Sequence, residues 1–548
     1  MKESMKKPVI SQRLIAILIL AFSIFLSMFV LYTPKPAAEE QKFSSTRALT
    51  YIKEISKESH SVFAADAHEN VRLYIKDTLT GYLGADHVSE YNYEISAFQT
   101  ETGEVRNLLG VIPGKSETAI MLVGHYDSVD GSYGAADDGY ALGTMLEIAD
   151  LYKNQELENT IYFLFTDAEE MGLDGAEAFV ANEPELMSNV GLVINIEARG
   201  VSGAALMFET SLNNKKVIDF YRQARFPASY SLATAIYQVM PNDTDFTIFR
   251  EAGKNGLNFA VIEGIDHYHT PLDNYNELSS SSLQHYGEQI VPLVDAFVTD
   301  SKYSDVNYFD ANQESVFFTL FPNVFVSYSE TAANILHIAT FLLLIAVTVI
   351  MLKNRLAQFR KTIGSLFIFL GTFILSVLLS VGFALLIAKI GNVPYYFTYV
   401  VVGGSGWATL LFLLVVAALS YAIYARCANS LEKQRTFLFF GISLQLLIAG
   451  TILPGMSFLF FVPALLGTLA LAASLQGNMI IKHLAYGATT LFSILLIVPI
   501  LRTFFLALTV GSTPVLVAIM LLHLTVLIPV FRLHVKTFPQ KSVAPQPE

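Results

Sequence analysis

Cysteine and charge are the scarce things in this sequence. Among 548 residues there is one cysteine, Cys427. A single thiol excludes an intramolecular disulfide and leaves the fold to rest on burial, which a core of this size permits. Charged residues make up 15% of the chain and hydrophobic residues 53%, where a soluble protein carries about a quarter charged. Acids are all but missing from both ends: outside 33–332 only Glu3, Glu432 and Glu548 occur. The segment 33–332 holds 45 of the 48 acids but 18 of the 35 lysines and arginines, so its net charge is near −27 against +14 for the remainder. The chain therefore joins an acidic soluble domain to a basic-flanked, lipid-buried region. That acidity excludes nucleic acid as a partner, because phosphates require Lys and Arg.

Residues 14–32 form an uncharged run of 19, long enough to cross about 30 Å of hydrocarbon. Lys2, Lys6, Lys7 and Arg13 precede it and hold residues 1–13 in the cytoplasm. A cleavable signal peptide ending near Lys35-Pro-Ala-Ala38 is the competing reading, but its apolar core would be about 7–15 residues. Apolar runs resume at 334–352, 363–388, 400–424, 436–453, 456–474, 483–501 and 511–531. The region 334–531 is thus expected to carry about seven spans, eight with the first. Lys353, Arg355, Arg360 and Lys361, then Arg426, Lys433 and Arg435, then Lys482, then Arg532, Lys536 and Lys541 fall on one side if both termini, including the tail 532–548, are cytoplasmic. Arg502 falls on the other side. The domain between then faces outward from the cell membrane, or into the lumen of a vacuole or other endomembrane in a eukaryote. No Asp or Glu lies within any of these runs, which argues against ion-coupled transport.

Residues 40–325 have the texture of an α/β domain with a mostly parallel sheet flanked by helices. Short apolar runs at Ala119–Val123, Ile161–Thr166, Leu192–Ile196 and Leu257–Ile262 read as buried strands. Helical patterns such as Tyr140–Tyr152 and Ala176–Asn182 alternate with them. Residues 301–332 read as a connector.

Metal-type ligands follow these strands in order. His125 and Asp127 follow the first, and Asp137-Asp138-Gly139 opens a helix. Glu169-Glu170 follows the second strand, Glu197 the third, and His267-Tyr268-His269-Thr270-Pro271 comes late. Singly, each has a bland reading as a solvated pair or a helix start. Together they sit at strand ends, where open α/β sheets bind ligands, and His nitrogen with carboxylate oxygen suits zinc. Asp127 is placed to accept the second ring N–H of His125.

The order and spacing over roughly 105–290 resemble the two-zinc aminopeptidase family that includes bacterial leucyl aminopeptidases, aminopeptidase Y and the vacuolar membrane protease. The resemblance implies two zinc ions per chain and a peptide substrate. It implies that His125 and Glu197 bind one zinc, Glu170 and His269 the other, and that Asp137 bridges them, with Glu169 as general base and Asp127 supporting catalysis. Many family members have Asp where this chain has Glu197. His267 competes for the role of His269, but His269-Thr270-Pro271-Leu272-Asp273 fits the family's His-Thr-x-x-Asp. Asp245 and Tyr268 resemble pocket or supporting positions of the family; Arg199 either meets a substrate carboxylate or forms a structural salt bridge. Release of N-terminal amino acids is the leading expectation. Glutaminyl-cyclase-like acyl transfer and a non-catalytic receptor or transporter are the alternatives.

Overall fold

The computed structural model describes residues 12–36, 43–95, 103–237, 242–397, 400–452 and 454–535. Lys2, Lys6, Lys7, Lys536 and Lys541, on which both ends of the expected topology rest, lie outside the described residues. The chain divides into two compact units, one of residues 31–330 and one of 1–30 with 331–548.

In the first unit seven strands form one sheet: β1 (Val88–Glu94), β2 (Glu104–Ile112), β3 (Ser116–His125), β4 (Asn159–Thr166), β5 (Val190–Ala198), β6 (Leu206–Thr210) and β7 (Gly256–Val261), in the order β1-β2-β4-β3-β5-β7-β6. The four central strands β4, β3, β5 and β7 are mutually parallel, as their apolar runs predict. The flanking β1, β2 and β6 pair antiparallel and were not legible as strands. Residues 301–332, read as a connector, contain a hairpin of β8 (Ser315–Phe321) and β9 (Val324–Ser329).

The central strands are apolar throughout because both faces are covered. Along β3, Ile120 and Leu122 enter one core with residues of the helices Ser45–Ile55, Gly139–Tyr152 and Ser280–Thr299. Ala119, Met121 and Val123 enter the opposite core with Ala176, Phe179, Phe246 and Phe249. This is the period-two alternation of a pleated strand. The helix Gly139–Tyr152 starts where the Asp138 side chain accepts the N–H of Ala141 at 3.3 Å, which satisfies one of the donors orphaned at a helix start. Parallel strands end on one edge, so the loops after His125, Thr166, Ala198 and Val261 converge there.

The second unit is helical. Its long helices are Gln12–Ser27, Glu330–Lys353, Phe359–Ile390, Ser405–Cys427, Leu431–Ala449, Ser457–Ser474, Met479–Leu508 and Thr513–Val535. They coincide with the eight apolar runs. Among the described residues six helical segments are long and apolar enough to cross a membrane. Two runs differ. The Gln12–Ser27 helix is 16 residues long within the described residues, shorter than the run 14–32. The Leu431–Ala449 helix opens on Leu-Glu-Lys-Gln-Arg, three charges in its first five residues.

Candidate active site

The first strand end delivers His125, which is 1% exposed. Its Nδ1 meets the main-chain oxygen of Asp127 at 2.9 Å, while the nearest Asp127 carboxylate oxygen stands 3.5 Å away. The second-nitrogen partner of His125 is thus the backbone of Asp127, where the sequence pointed to its carboxylate. That carboxylate instead accepts the N–H of Glu169 at 3.0 Å with Oδ1 and of Glu170 at 3.2 Å with Oδ2. Asp127 therefore ties the loop after β4 to the loop after β3.

Asp137 is 7% exposed and lies between two histidines. Its Oδ1 is 3.3 Å from Nε2 of His125, and its Oδ2 is 3.2 Å from Nε2 of His269. Glu197 joins the first side, with Oε2 at 3.8 Å from His125 Nε2. Glu170 joins the second, with Oε1 at 3.1 Å from His269 Nε2. Ligand atoms of His125, Asp137 and Glu197 lie within 4.8 Å of one another, as do those of Asp137, Glu170 and His269. Those of His125, Glu169 and Glu170 also do, so Glu169 borders the same space. His269 takes a left-handed φ of 57° to reach its place, a conformation that L-residues adopt at some cost. His267 faces Asp266 and Glu277, at 3.4 and 3.6 Å; it is His269 that is brought to Asp137 and Glu170.

The surrounding residues hold this set. Asn195 donates to Oε1 of Glu197 at 3.0 Å. Asp245, fully buried, accepts from the Thr166 hydroxyl through Oδ2, while its Oδ1 has no hydrogen-bond partner. Tyr268 stacks on the His269 ring with centroids 3.7 Å apart, and the Arg199 guanidinium lies 5.9 Å from the Tyr268 centroid. Asp273, 1% exposed, accepts the N–H groups of Ala136 at 2.7 Å and Asp137 at 3.2 Å. Its part in the site was not legible, although the motif containing it was. Tyr237 was also missed; burial and the charges of Glu209 and Glu197 keep its phenol protonated.

Crowded, dry carboxylates repel one another's charge. Burial, with the charge of Asp137, pushes Glu170 to about 7. Burial pushes Glu197 to about 8, His125 opposing and Asp137 adding to the rise. Burial likewise takes Asp245 to about 6 and Glu169 well above the usual carboxylate range. Burial alone would lower His269, but the adjacent carboxylates of Asp137 and Glu170 overcome this and raise it to about 10. Burial would raise Asp137, but His125 and His269 hold it low. A site built this way favours added positive charge at its centre.

Residues 107–294 match the family model "Peptidase family M28". The chain is 28% identical over 270 residues to a vacuolar membrane protease of Candida dubliniensis, covering 46% of this chain and 28% of that protein. It is 28% identical over 336 residues to endoplasmic reticulum metallopeptidase 1 of Mus musculus, covering 59% of this chain and 37% of that protein. Among solved structures, BSAP, a zinc aminopeptidase from Bacillus subtilis, aligns with a TM-score of 0.39 at 16% identity, covering 48% of this chain and 97% of that one. The chain spans between 28% and 39% of the length of the curated relatives it matches first. The match to peptidase family M28 thus spans the stretch that holds His125, Asp137, Glu169, Glu170, Glu197 and His269.

Proposed function

We propose that this chain is a membrane-bound, two-zinc peptidase that releases N-terminal amino acids. The observation that carries this reading is the divided carboxylate of Asp137, one oxygen toward His125 and Glu197 and the other toward His269 and Glu170. Ligand atoms at 2.0–2.1 Å from a shared tetrahedral centre stand roughly 3.3 Å apart, and the separations here run from 3.1 to 3.8 Å. The donor set also fits: His125 Nε2 and Glu170 Oε1 are buried without hydrogen-bond partners, as atoms reserved for a cation would be. His125, Glu197 and Asp137 would hold one zinc, and Asp137, Glu170 and His269 the other.

Two bound zinc ions would supply Lewis acidity, lowering the pKa of water and polarising the scissile carbonyl. The chain's own residues do the rest. Glu169 borders the metal space without facing Asp137, and its carboxylate takes a proton from the attacking water and returns it to the departing amine. Asp127 fixes Glu169 and Glu170 through their backbone N–H groups. The unpartnered Oδ1 of Asp245 offers an anionic contact for the free α-ammonium of a peptide. The apolar helices support a place in a lipid bilayer, and the distribution of lysines and arginines supports an extracytoplasmic catalytic domain.

Metal analysis of the purified chain, beside hydrolysis of blocked and unblocked peptides, tests this reading. Two zinc ions per chain and cleavage of unblocked peptides alone are expected. One zinc per chain, with cyclisation of N-terminal glutamine and no hydrolysis, contradicts it.

A further inference from the structure

The helical unit is short of negative charge. Among its described residues Glu432 is the one carboxylate, against twelve lysines and arginines. Most of these cations are exposed or half-buried at helix ends. Arg435 is different: it is 6% exposed, in the second turn of the Leu431–Ala449 helix. Its Nε donates to Ser474 Oγ at 3.0 Å and its terminal nitrogen to the Ser474 carbonyl at 2.5 Å, so it closes the end of the Ser457–Ser474 helix.

Other basic groups gather beside it. Lys482, in the first turn of the Met479–Leu508 helix, lies within the field of Arg435. The next residue, His483, meets His534 of the Thr513–Val535 helix, Nδ1 to Nε2 at 2.8 Å. Tyr486 links the two groups: its ring centroid is 5.6 Å from that of His534, and its hydroxyl feels the charge of Arg435. An apolar wall of Met351, Leu438, Leu471 and Leu533 packs with Tyr486 and limits access of water.

Two helices start here and two end here, so their dipoles, positive at starts and negative at ends, largely offset one another. The fixed charges do not offset. Arg435 and Lys482 are basic side chains, and the His483–His534 contact sets two imidazoles beside them. Among the described residues of this unit Glu432, three residues before Arg435, is the one acid. Basic groups gathered at the ends of membrane-spanning helices attract anionic headgroups. All four helix ends belong to the side that the loading of lysines and arginines assigns to the cytoplasm, where anionic headgroups are abundant.

We propose that Arg435, Lys482 and the His483–His534 pair form a binding site for the phosphate of an anionic phospholipid. The ligand brings one negative charge and oxygen acceptors to the headgroup level, while its acyl chains run along apolar helix faces. The site is independent of the catalytic centre.

Native mass spectrometry of the full chain in neutral detergent, titrated with dioleoylphosphatidylglycerol or dioleoylphosphatidylcholine, tests it. Phosphatidylglycerol is expected to bind at one saturable site and phosphatidylcholine to bind more weakly. Lys482→Gln and His483→Gln should each weaken phosphatidylglycerol about fivefold, the effect of one cation near a lipid surface. Lys361→Gln removes an exposed cation elsewhere in the same unit and should leave the affinity unchanged. Equal binding of the two lipids by the unmodified chain overturns the proposal without recourse to any variant. So does an equal loss in Lys361→Gln, which would mark a diffuse basic surface. Full competition by inorganic phosphate at millimolar concentration would assign the site to a free anion and overturn the lipid claim.

Discussion

Asp273 accepts the backbone N–H of Asp137 at 3.2 Å while its other oxygen accepts that of Ala136 at 2.7 Å. One buried carboxylate thus fixes the main chain from which Asp137, the proposed shared ligand, projects. Burial, with the charge of Asp137, pushes Asp273 itself to about 7, its two backbone bonds opposing. Asp273→Asn keeps the volume but turns a donor toward one of those N–H groups. Groups that orient a metal ligand typically contribute 10–100-fold to affinity or activity. We expect zinc affinity to fall about tenfold or more, with hydrolysis recovering at high zinc. Unchanged affinity would reduce Asp273 to a loop residue.

Asp245 is assigned to the substrate's ammonium rather than to a metal. Asp245→Asn should raise KM for unblocked peptides by about tenfold, the cost of a buried charged hydrogen bond, with zinc content unchanged. Steady-state kinetics beside metal analysis checks this. A loss of zinc in the variant would place Asp245 among the ligands instead.

Metal removal should make stability depend on pH in one direction. Without metal, the folded chain holds Glu170 at about 7 and Glu197 at about 8, against an ordinary 4.5. Carboxyls raised in this way contribute stability fully below about pH 4.5 and lose it as pH rises through 7 and 8. His269, at about 10 against 6.5, acts in the same direction: its contribution is full below 6.5 and lost as pH rises through 10. Asp137 acts oppositely, but only below the ordinary carboxylate range. The Tm of chelator-treated protein should therefore fall between pH 5 and pH 8.5. Zinc should remove or reverse that fall, because its ligands bind deprotonated. The same fall with and without zinc would contradict the assignment.

The membrane arrangement is tested by reporter fusions near residues 200, 357, 430 and 545. An external signal at 200 and cytoplasmic signals at the other three are expected from the distribution of lysines and arginines. A cytoplasmic signal at 200 would reverse the placement of the catalytic domain.

Much of the site was legible because β3, β4 and β5 are apolar on both faces and each carries a ligand-type residue at or just past its end: His125, the Glu169-Glu170 pair, Glu197. Buried parallel strands leave that contrast in the sequence. The antiparallel β1, with a side open to solvent, lacks it: Val88–Glu94 alternates between exposed and half-buried positions and reads as polar. Asp273 escaped for another reason. Its partners are N–H groups more than 130 residues away, and a backbone donor has no signature in side-chain pattern. The same holds for His125, whose Nδ1 partner is a carbonyl that every residue possesses. In the helical unit the apolar runs located the helices, but their ends shifted. Arg502 lies inside the Met479–Leu508 helix because the apolar run 504–508 beyond it continues the helix.

The central claim is a division of labour between adjacent acids: Glu170 holds metal and Glu169 moves the proton. The most direct test is kcat measured beside zinc content for Glu169→Gln and Glu170→Gln. General acid–base groups contribute about 10²–10⁴-fold to rate. Glu169→Gln should lose kcat in that range while keeping two zinc ions per chain and a similar substrate affinity. Glu170→Gln should lose zinc along with rate. A Glu169→Gln chain with near-normal kcat, or one that has lost its zinc, would contradict the account.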